Sequence, residues 1–338
     1  MKKKSSIVRK FIISFCAFFI VSLSGLLFLF YGPFDSFRSF WITSAMTTMN
    51  HQYLATMFYS DETIQKVLKE NYIIEVEEVT NPDLIKLKKY TSSIYQNQYE
   101  KEILVHDEDA LYKVIEIHEN TYQGFLVAVY DPSRIHLATT AYLGVRGESI
   151  LTVSQRENAI IAMNAAGFYD PDWNSNGALP HGVVISYGKV VSEYTSVGYG
   201  GFIGFDQENR LILGNMSKYE ALSMGLRDAV EFGPFLIVNG KRSFIRGNGG
   251  WGISPRTAIG QRQDGIVLML VINGRLASSI GADMIDLCDI MERYGAYNAA
   301  NLDGGSSTEL VINNEIINTP VAGGTNGLRD QSTFWVVV

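Results

Sequence analysis

The sequence predicts an α+β fold, a strand-rich mixed sheet core with a few helices, preceded by a single N-terminal transmembrane helix. Three observations lead there. From about residue 103 onward, short alternating or continuously apolar runs recur between turns rich in glycine and asparagine, as half-buried and fully buried strands require. One stretch, Ala282 to Tyr294, instead places Met284, Ile285, Leu287, Cys288, Met291 and Tyr294 at steps of three and four, the spacing of an amphipathic helix, with Gly295 as its stop. At the other end, Phe11 to Tyr31 is apolar and free of charge, matching the about 20 residues that cross a bilayer.

The 338 residues allow one large domain or two ordinary ones with accessories. Lys2, Lys3, Lys4, Arg9 and Lys10 precede the apolar run, and no acid occurs before Asp35. Without those five, 23 of the 28 basic residues remain against 35 acidic ones, a formal charge of −12. Nucleic-acid binding rests on Lys and Arg neutralising phosphates, so this balance argues against it. Cys16 and Cys288 make no disulfide framework, and no zinc-type spacing of Cys and His is present.

The basic cluster should remain cytoplasmic, which places residues 1–10 inside, an anchor at 11–31 and everything after it outside the cell membrane. A cleaved signal peptide is the competing reading, but its apolar region would usually be shorter and no small-x-small cleavage site stands out. Residues 32–102 form a juxtamembrane helical and linker region. Phe37, Phe40, Trp41, Met46, Met49, Tyr53, Leu54, Met57 and Phe58 recur at helical spacing, and Asp61 caps a further helix through Val67 and Leu68. Such helices can rest on lipid or on the folded body. Glu75 to Glu102 lacks periodicity and reads as a linker.

Within 103–338, strands are predicted at Tyr112–Ile117, Phe125–Tyr130 and Ile135–Ala138. A short helix around Ser154 to Asn158 leads into Ala159–Met163, which ends at Asn164-Ala165-Ala166-Gly167-Phe168-Tyr169. Hairpins follow with turns at Tyr187-Gly188, Gln207 to Asn209 and Asn239-Gly240. A helix-like piece spans about Tyr219 to Ala229, and the apolar strand Ile266–Ile272 precedes the amphipathic helix.

Two features carry chemistry. Between Phe232 and Ala282 the one acid is Asp264, against Lys241, Arg242, Arg246, Arg256, Arg262 and Arg275. This island could line a phosphate pocket, since planar guanidinium donors match phosphate oxygens, or it could be solvated loop charge. Pro255 and the strand after it would hold Arg256 on a stiff element. The second feature is Asn301-Leu302-Asp303-Gly304-Gly305-Ser306-Ser307-Thr308. It presents a carboxylate, backbone N–H groups and three hydroxyls to one small volume, suited to an anionic, oxygen-rich ligand. A glycine turn whose Ser and Thr bond their own backbone is the plainer reading.

Taken with Ser-Pro-Arg-Thr-Ala-Ile-Gly at 254 to 260, Asn-Gly-Arg at 273 to 275, Gly-Pro-Phe-Leu at 233 to 236 and Asn-Ala-Ala-Gly-Phe-Tyr at 164 to 169, this motif resembles those of the phosphodiester glycosidase family, over about residues 120 to 338. The N-terminal anchor resembles that of Gram-positive, membrane-tethered members. Two departures concern the pocket. Asn273 stands where the family often has Asp, and Asn164 is followed by one residue more than in the common Asn-Gly-Gly-Phe-Phe.

The resemblance implies hydrolysis of a sugar-1-phosphodiester, releasing the sugar and a phosphomonoester. Asp303 would then activate water or stabilise the cationic sugar carbon, and Arg256 would hold phosphate oxygens. Arg275, Gly304, Gly305, Ser306, Ser307 and Thr308 would assist, with Asn164 and Asn301 orienting sugar hydroxyls or the loop. No cofactor is called for; a divalent cation on Asp303 and carbonyls is the alternative. The expected partners are a sugar-phosphate or phosphoglycan substrate, such as a teichoic-acid-like polymer, and the membrane. Other classes stay open: a non-catalytic phosphoglycan-binding module, an exopolysaccharide assembly factor using Phe37 to Phe58, or a Ser306 or Ser307 nucleophile activated by a distant base such as His181.

Overall fold

The computed structural model describes residues 2–48, 51–87, 94–170, 175–194, 200–322 and 327–338. Helix α1 (Lys2–Tyr31) contains the 24-residue stretch Val8–Tyr31, of mean hydropathy 2.5, and apart from the buried Phe30 the apolar side chains of that stretch stand exposed. After a break at Gly32 come α2 (Asp35–Met46), α3 (Tyr53–Thr56) and α4 (Asp61–Glu70). The cap of α4 is Ser60 rather than the expected Asp61: the Ser60 hydroxyl accepts from the Thr63 amide, and Asp61 occupies the first helical position, where its charge suits the helix dipole. The aromatic residues here form a small core. Phe30 at the end of α1 stacks on Phe58 with ring centroids 4.0 Å apart and meets Trp41 edge-on at 5.0 Å. Met49 of the expected apolar series, and residues 88–93 of the expected linker, lie outside the described residues.

The chain continues through β1 (Tyr72–Ile74), α5 (Gln98–Leu104), β2 (Tyr112–His118), β3 (Gln123–Val129), β4 (Ile135–Thr139), α6 (Ile150–Glu157) and β5 (Ile161–Asn164). Then come β6 (Gly182–Ser186), β7 (Lys189–Tyr194), β8 (Gly201–Asp206), β9 (Leu211–Gly214), α7 (Lys218–Ser223) and β10 (Leu226–Phe232). The last part holds β11 (Phe235–Val238), β12 (Lys241–Arg242), β13 (Phe244–Arg246), β14 (Arg256–Arg262), β15 (Val267–Ile272), α8 (Met284–Arg293), β16 (Ala296–Leu302), β17 (Leu310–Ile312), β18 (Glu315–Ile316) and β19 (Thr333–Val337).

These strands make a seven-stranded sheet of order β12-β11-β16-β14-β15-β3-β2 and two five-stranded sheets, β7-β6-β10-β8-β9 and β18-β17-β5-β19-β4, besides the β1-β13 pair. The main core lies between the large sheet and the two smaller ones, where Val127, Met163, Phe205, Ile259, Leu302 and Trp335 meet. Helix α8 covers the other face of the large sheet, α6 the outside of one small sheet and α7 the outside of the other. The α+β expectation therefore holds. Strands β15 and β16, joined by α8, each run antiparallel to the β14 between them and so are parallel to each other.

One expected helix is shorter than its pattern suggested. Helix α7 ends at Ser223, and Gly225 at φ 77° turns the chain into β10, so Leu226 to Ala229 lie in a sheet. Pairing with β8 prevails over helical spacing, with a bulge between Leu226 and Asp228 that leaves Leu226 and Ala229 on the α7 side and Val230 in the main core. The segment after α4 also runs along the body. Thr80 exchanges hydrogen bonds with Leu213, Glu75 accepts from the Phe235 amide at 2.7 Å, and the Lys86 amide donates to the Gln263 carbonyl at 2.7 Å.

Candidate active site

The expected site residues gather where β5, β14 and β16 end side by side. Strand β16 stops at Leu302, and the Asp303 amide donates to the Ala165 carbonyl at 3.0 Å, tying the loop to the end of β5. The two glycines serve different needs. Gly305 adopts φ 61°, which glycine reaches without strain, whereas a Cβ on Gly304 would lie 2.7 Å from the Pro255 carbonyl oxygen. The Gly305 amide completes this contact by donating to that same oxygen at 2.8 Å.

Asn164 is fully buried and occupied. Its Nδ2 donates to the Asp303 carbonyl at 2.7 Å, while its Oδ1 accepts from the Thr257 hydroxyl at 2.9 Å and the Glu309 amide at 3.1 Å. Thr308 belongs to the same knot through its contact with Thr257. Asn301 is buried as well, its Nδ2 on the Gly233 carbonyl at 2.8 Å. These three side chains are therefore held among the strand ends around Asp303. Asn273, at the position where a carboxylate was expected from related motifs, accepts from the Thr319 amide at 2.8 Å.

Asp303 itself is half-buried, between arginine and hydroxyl groups. Burial raises its pKa above the ordinary carboxylate range; a hydrogen bond from Ser307, the charge of Arg329, the Gly304 amide and the charge of Arg256 oppose that rise. Arg329 Nη1 lies 3.4 Å from the Ser307 hydroxyl, Nη2 pairs with the buried Asp170, and the guanidinium stands 4.5 Å above the Phe168 ring. Arg275, in the left-handed region at φ 58°, donates to the hydroxyls of Ser306 at 3.2 Å and Ser254 at 3.3 Å. Opposite, Gly167 leaves room for Phe232, His181 and Asp303, whose nearest atoms would stand 3.1, 3.5 and 3.7 Å from a Cβ placed there. Burial lowers the pKa of His181, favouring a neutral imidazole near neutral pH.

Arg256 begins β14 and is buried. Its Nε donates to the Ala282 carbonyl at 3.0 Å, and its Nη2 donates to the carbonyls of Trp251 and Gly252, both at 2.6 Å. Burial pushes its pKa down to about 10, which leaves it charged at neutral pH. It is a cation enclosed by main-chain carbonyls, and Trp251, whose carbonyl it binds, faces Phe232 at a centroid distance of 6.3 Å.

The motif residues thus converge, and the site adds partners that motif reading did not supply. Arg329 and Asp170 carried no recognisable signal. His181 entered only as a distant base, and Gly167 and Phe168 only as parts of a motif. Among the described residues, no group of three or more His, Cys, Asp or Glu side chains is gathered as a metal would need.

A family model described as phosphodiester glycosidase matches residues 157–338. The SPbeta prophage-derived uncharacterized protein YomE of Bacillus subtilis (strain 168) is 29% identical over 214 residues, 61% of this chain and 32% of that protein. The chain thus spans about a third of that relative's length. The structure of the zebrafish N-acetylglucosamine-1-phosphodiester alpha-N-acetylglucosaminidase catalytic domain, auto-inhibited by its pro-peptide, has a similar fold: TM-score 0.55 and 19% identity, covering 76% of this chain and 99% of that one.

Proposed function

The chain belongs to the phosphodiester glycosidase family, and from that membership we propose that it hydrolyses a sugar-1-phosphodiester in a glycan or teichoic-acid-like polymer outside the cell, held to the membrane by α1. The observation that carries this reading is one half-buried carboxylate, Asp303, set beside the Ser307 hydroxyl and Arg329, with Ser306 of the same loop bonded to Arg275 from the turn after β15.

In this reading the phosphate lies against Arg275, Arg329 and Ser306, whose donors match its oxygens. Arg256 adds positive charge from behind. Water attacks the anomeric carbon as the bond from that carbon to the phosphate oxygen breaks. The departing phosphomonoester takes the bonding electrons, and ionised Asp303 accepts the proton of the water. Phosphate is a good leaving group, so stabilising its growing charge matters more than protonating it. Trp251, half-buried and backed by Phe232, offers apolar surface for a sugar ring.

A serine nucleophile has less support, because Ser307 is buried and bonded to Asp303 while Ser306 faces Arg275. A purely binding role predicts capture of the diester without turnover. Incubating the protein with an α-N-acetylglucosamine-1-phosphodiester should release free sugar, and Asp303→Asn should slow that release at least about a thousandfold, within the range for losing a positioned acid–base group. Full activity in Asp303→Asn would remove Asp303 from the chemistry.

A further inference from the structure

The loop of residues 247–253 borders the proposed site, since the carbonyls of Trp251 and Gly252 hold Arg256 and the Trp251 ring faces Phe232. Arg256 apart, the hydrogen bonds described between this loop and helices run to the helices that follow α1. Asn248 Nδ2 donates to the Thr43 hydroxyl at 2.6 Å, and the Asn248 amide donates to Asn71 Oδ1 at 3.0 Å. The Ile253 amide donates to the Ser44 hydroxyl at 3.0 Å. Backbones meet here too. A Cβ on Gly252, at φ 61°, would stand 2.6 Å from Ser44 Cα, and one on Gly250, at φ 81°, would stand 2.7 Å from the Asn71 carbonyl oxygen. The β1–β13 pairing, with Tyr72 opposite Arg246, fixes the chain just before the loop.

At its other end the same module is joined to α1. Phe30 is buried against Trp41 and Phe58, the Tyr59 hydroxyl donates to the Phe30 carbonyl at 3.1 Å, and Arg38 donates to the Gly32 carbonyl at 2.9 Å. A continuous set of contacts therefore leads from the end of the apolar helix, through α2, to the carbonyls around Arg256.

We propose that Thr43, Ser44 and Asn71 are positioning residues for the reaction: the helices that follow α1 hold loop 247–253 so that Arg256 and Trp251 keep their places beside Asp303. The proposal rests on the glycosidic hydrolysis of a sugar-1-phosphodiester argued above. A passive stalk would not need side-chain hydrogen bonds from α2 to loop 247–253, nor glycines where the two backbones touch.

The test uses the full-length chain in detergent micelles or nanodiscs. Thr43→Val keeps shape but removes the acceptor of Asn248, Ser44→Ala removes that of Ile253, and Thr43→Ser keeps its hydroxyl. Thr47→Val, whose hydroxyl bonds its own helix, is the control. Amide hydrogen exchange across 247–253 is followed together with kcat and KM for the sugar-1-phosphodiester. In the Thr43→Val/Ser44→Ala protein we expect exchange in that loop to quicken at least about tenfold and kcat/KM to fall about tenfold, because small misplacements of site groups are costly. Thr43→Ser and Thr47→Val should behave as the parent. Unchanged exchange, or faster exchange with unchanged kcat and KM, would overturn the proposal. Should the double variant fail to fold, Ser44→Ala alone decides by the same two readings. A parent that binds the diester without turning it over refutes the hydrolase reading and with it the catalytic role given to these residues, while the exchange measurement still decides whether the helices hold the loop.

Discussion

The two flanks of the Asp303 loop hold their arginines in opposite ways. On one flank Arg256 is buried, with Nε and Nη2 committed to three main-chain carbonyls. On the other, Arg329 reaches the buried Ser307 hydroxyl, and Arg275 reaches that of Ser306, which is half-buried and can turn toward a ligand. A guanidinium bound to carbonyls fixes backbone geometry and contributes its charge at a distance, whereas one bound to hydroxyls can exchange them for phosphate oxygens at little cost. The stiffness that makes Arg256 attractive in the sequence is also what buries it.

Substitutions to lysine sharpen this contrast, because they keep charge and lose the planar fork. Arg329→Lys retains a cation for the buried Asp170, so the protein should stay folded with a melting temperature near that of the parent. Its kcat/KM on a sugar-1-phosphodiester should nevertheless fall about a hundredfold, the order of loss seen when a preorganised donor is removed. Arg256→Lys should reverse the emphasis. One ammonium cannot reproduce the guanidinium's contacts to the carbonyls of Ala282, Trp251 and Gly252, and unfolding in denaturant should show a loss of about 2 kcal/mol. If Arg256→Lys were as stable as the parent and Arg329→Lys unfolded, the assignment of the two flanks would be inverted.

A pH-dependent effect concerns the layer beneath Ser307. Glu309 is buried, accepting from the Arg329 amide at 2.8 Å and from Gln331 at 3.1 Å, and burial pushes its pKa up to about 8. The folded protein then keeps a proton that the unfolded chain would release near pH 4.5. This contribution to stability is complete below that pH and is lost as pH rises through about 8. Glu309→Gln cannot ionise, so between pH 5 and pH 9 the parent should lose about 4 kcal/mol more stability than the variant, at about 1.4 kcal/mol for each pH unit from 5 to 8. Parallel curves of melting temperature against pH for the two proteins would show that Glu309 does not titrate in this way.

Much of the fold is legible in the chain. The turns at Tyr187-Gly188 and Asn239-Gly240 have positive φ at both residues, as their sequences suggested, and α8 occupies the centre of its apolar pattern with Cys288 buried in the core. Residues 226–229 were not legible as a strand because helical and strand periodicities overlap over so short a stretch, and the pairing with β6 and β8 decided between them. Within the site, Asp303 and its glycines stand out because backbone demands are written locally. Asn164 and Asn301 could be recognised as site-forming but not assigned to loop or ligand, since only their partners across the sheets separate those roles.

By itself, the sequence determined a charge-free helix long enough to cross a membrane, the strand and turn punctuation of an α+β body, and an order of motifs sufficient for the family. Each of these depends on neighbours within a few residues or on motif order. The tertiary structure decided that Arg329 and Asp170 stand beside the 303–308 loop, that Arg256 is enclosed by carbonyls, and that Thr43 and Ser44 reach the loop enclosing it. Those contacts join residues far apart in the chain, and they exist only once the sheets have packed and brought their strand ends to one place.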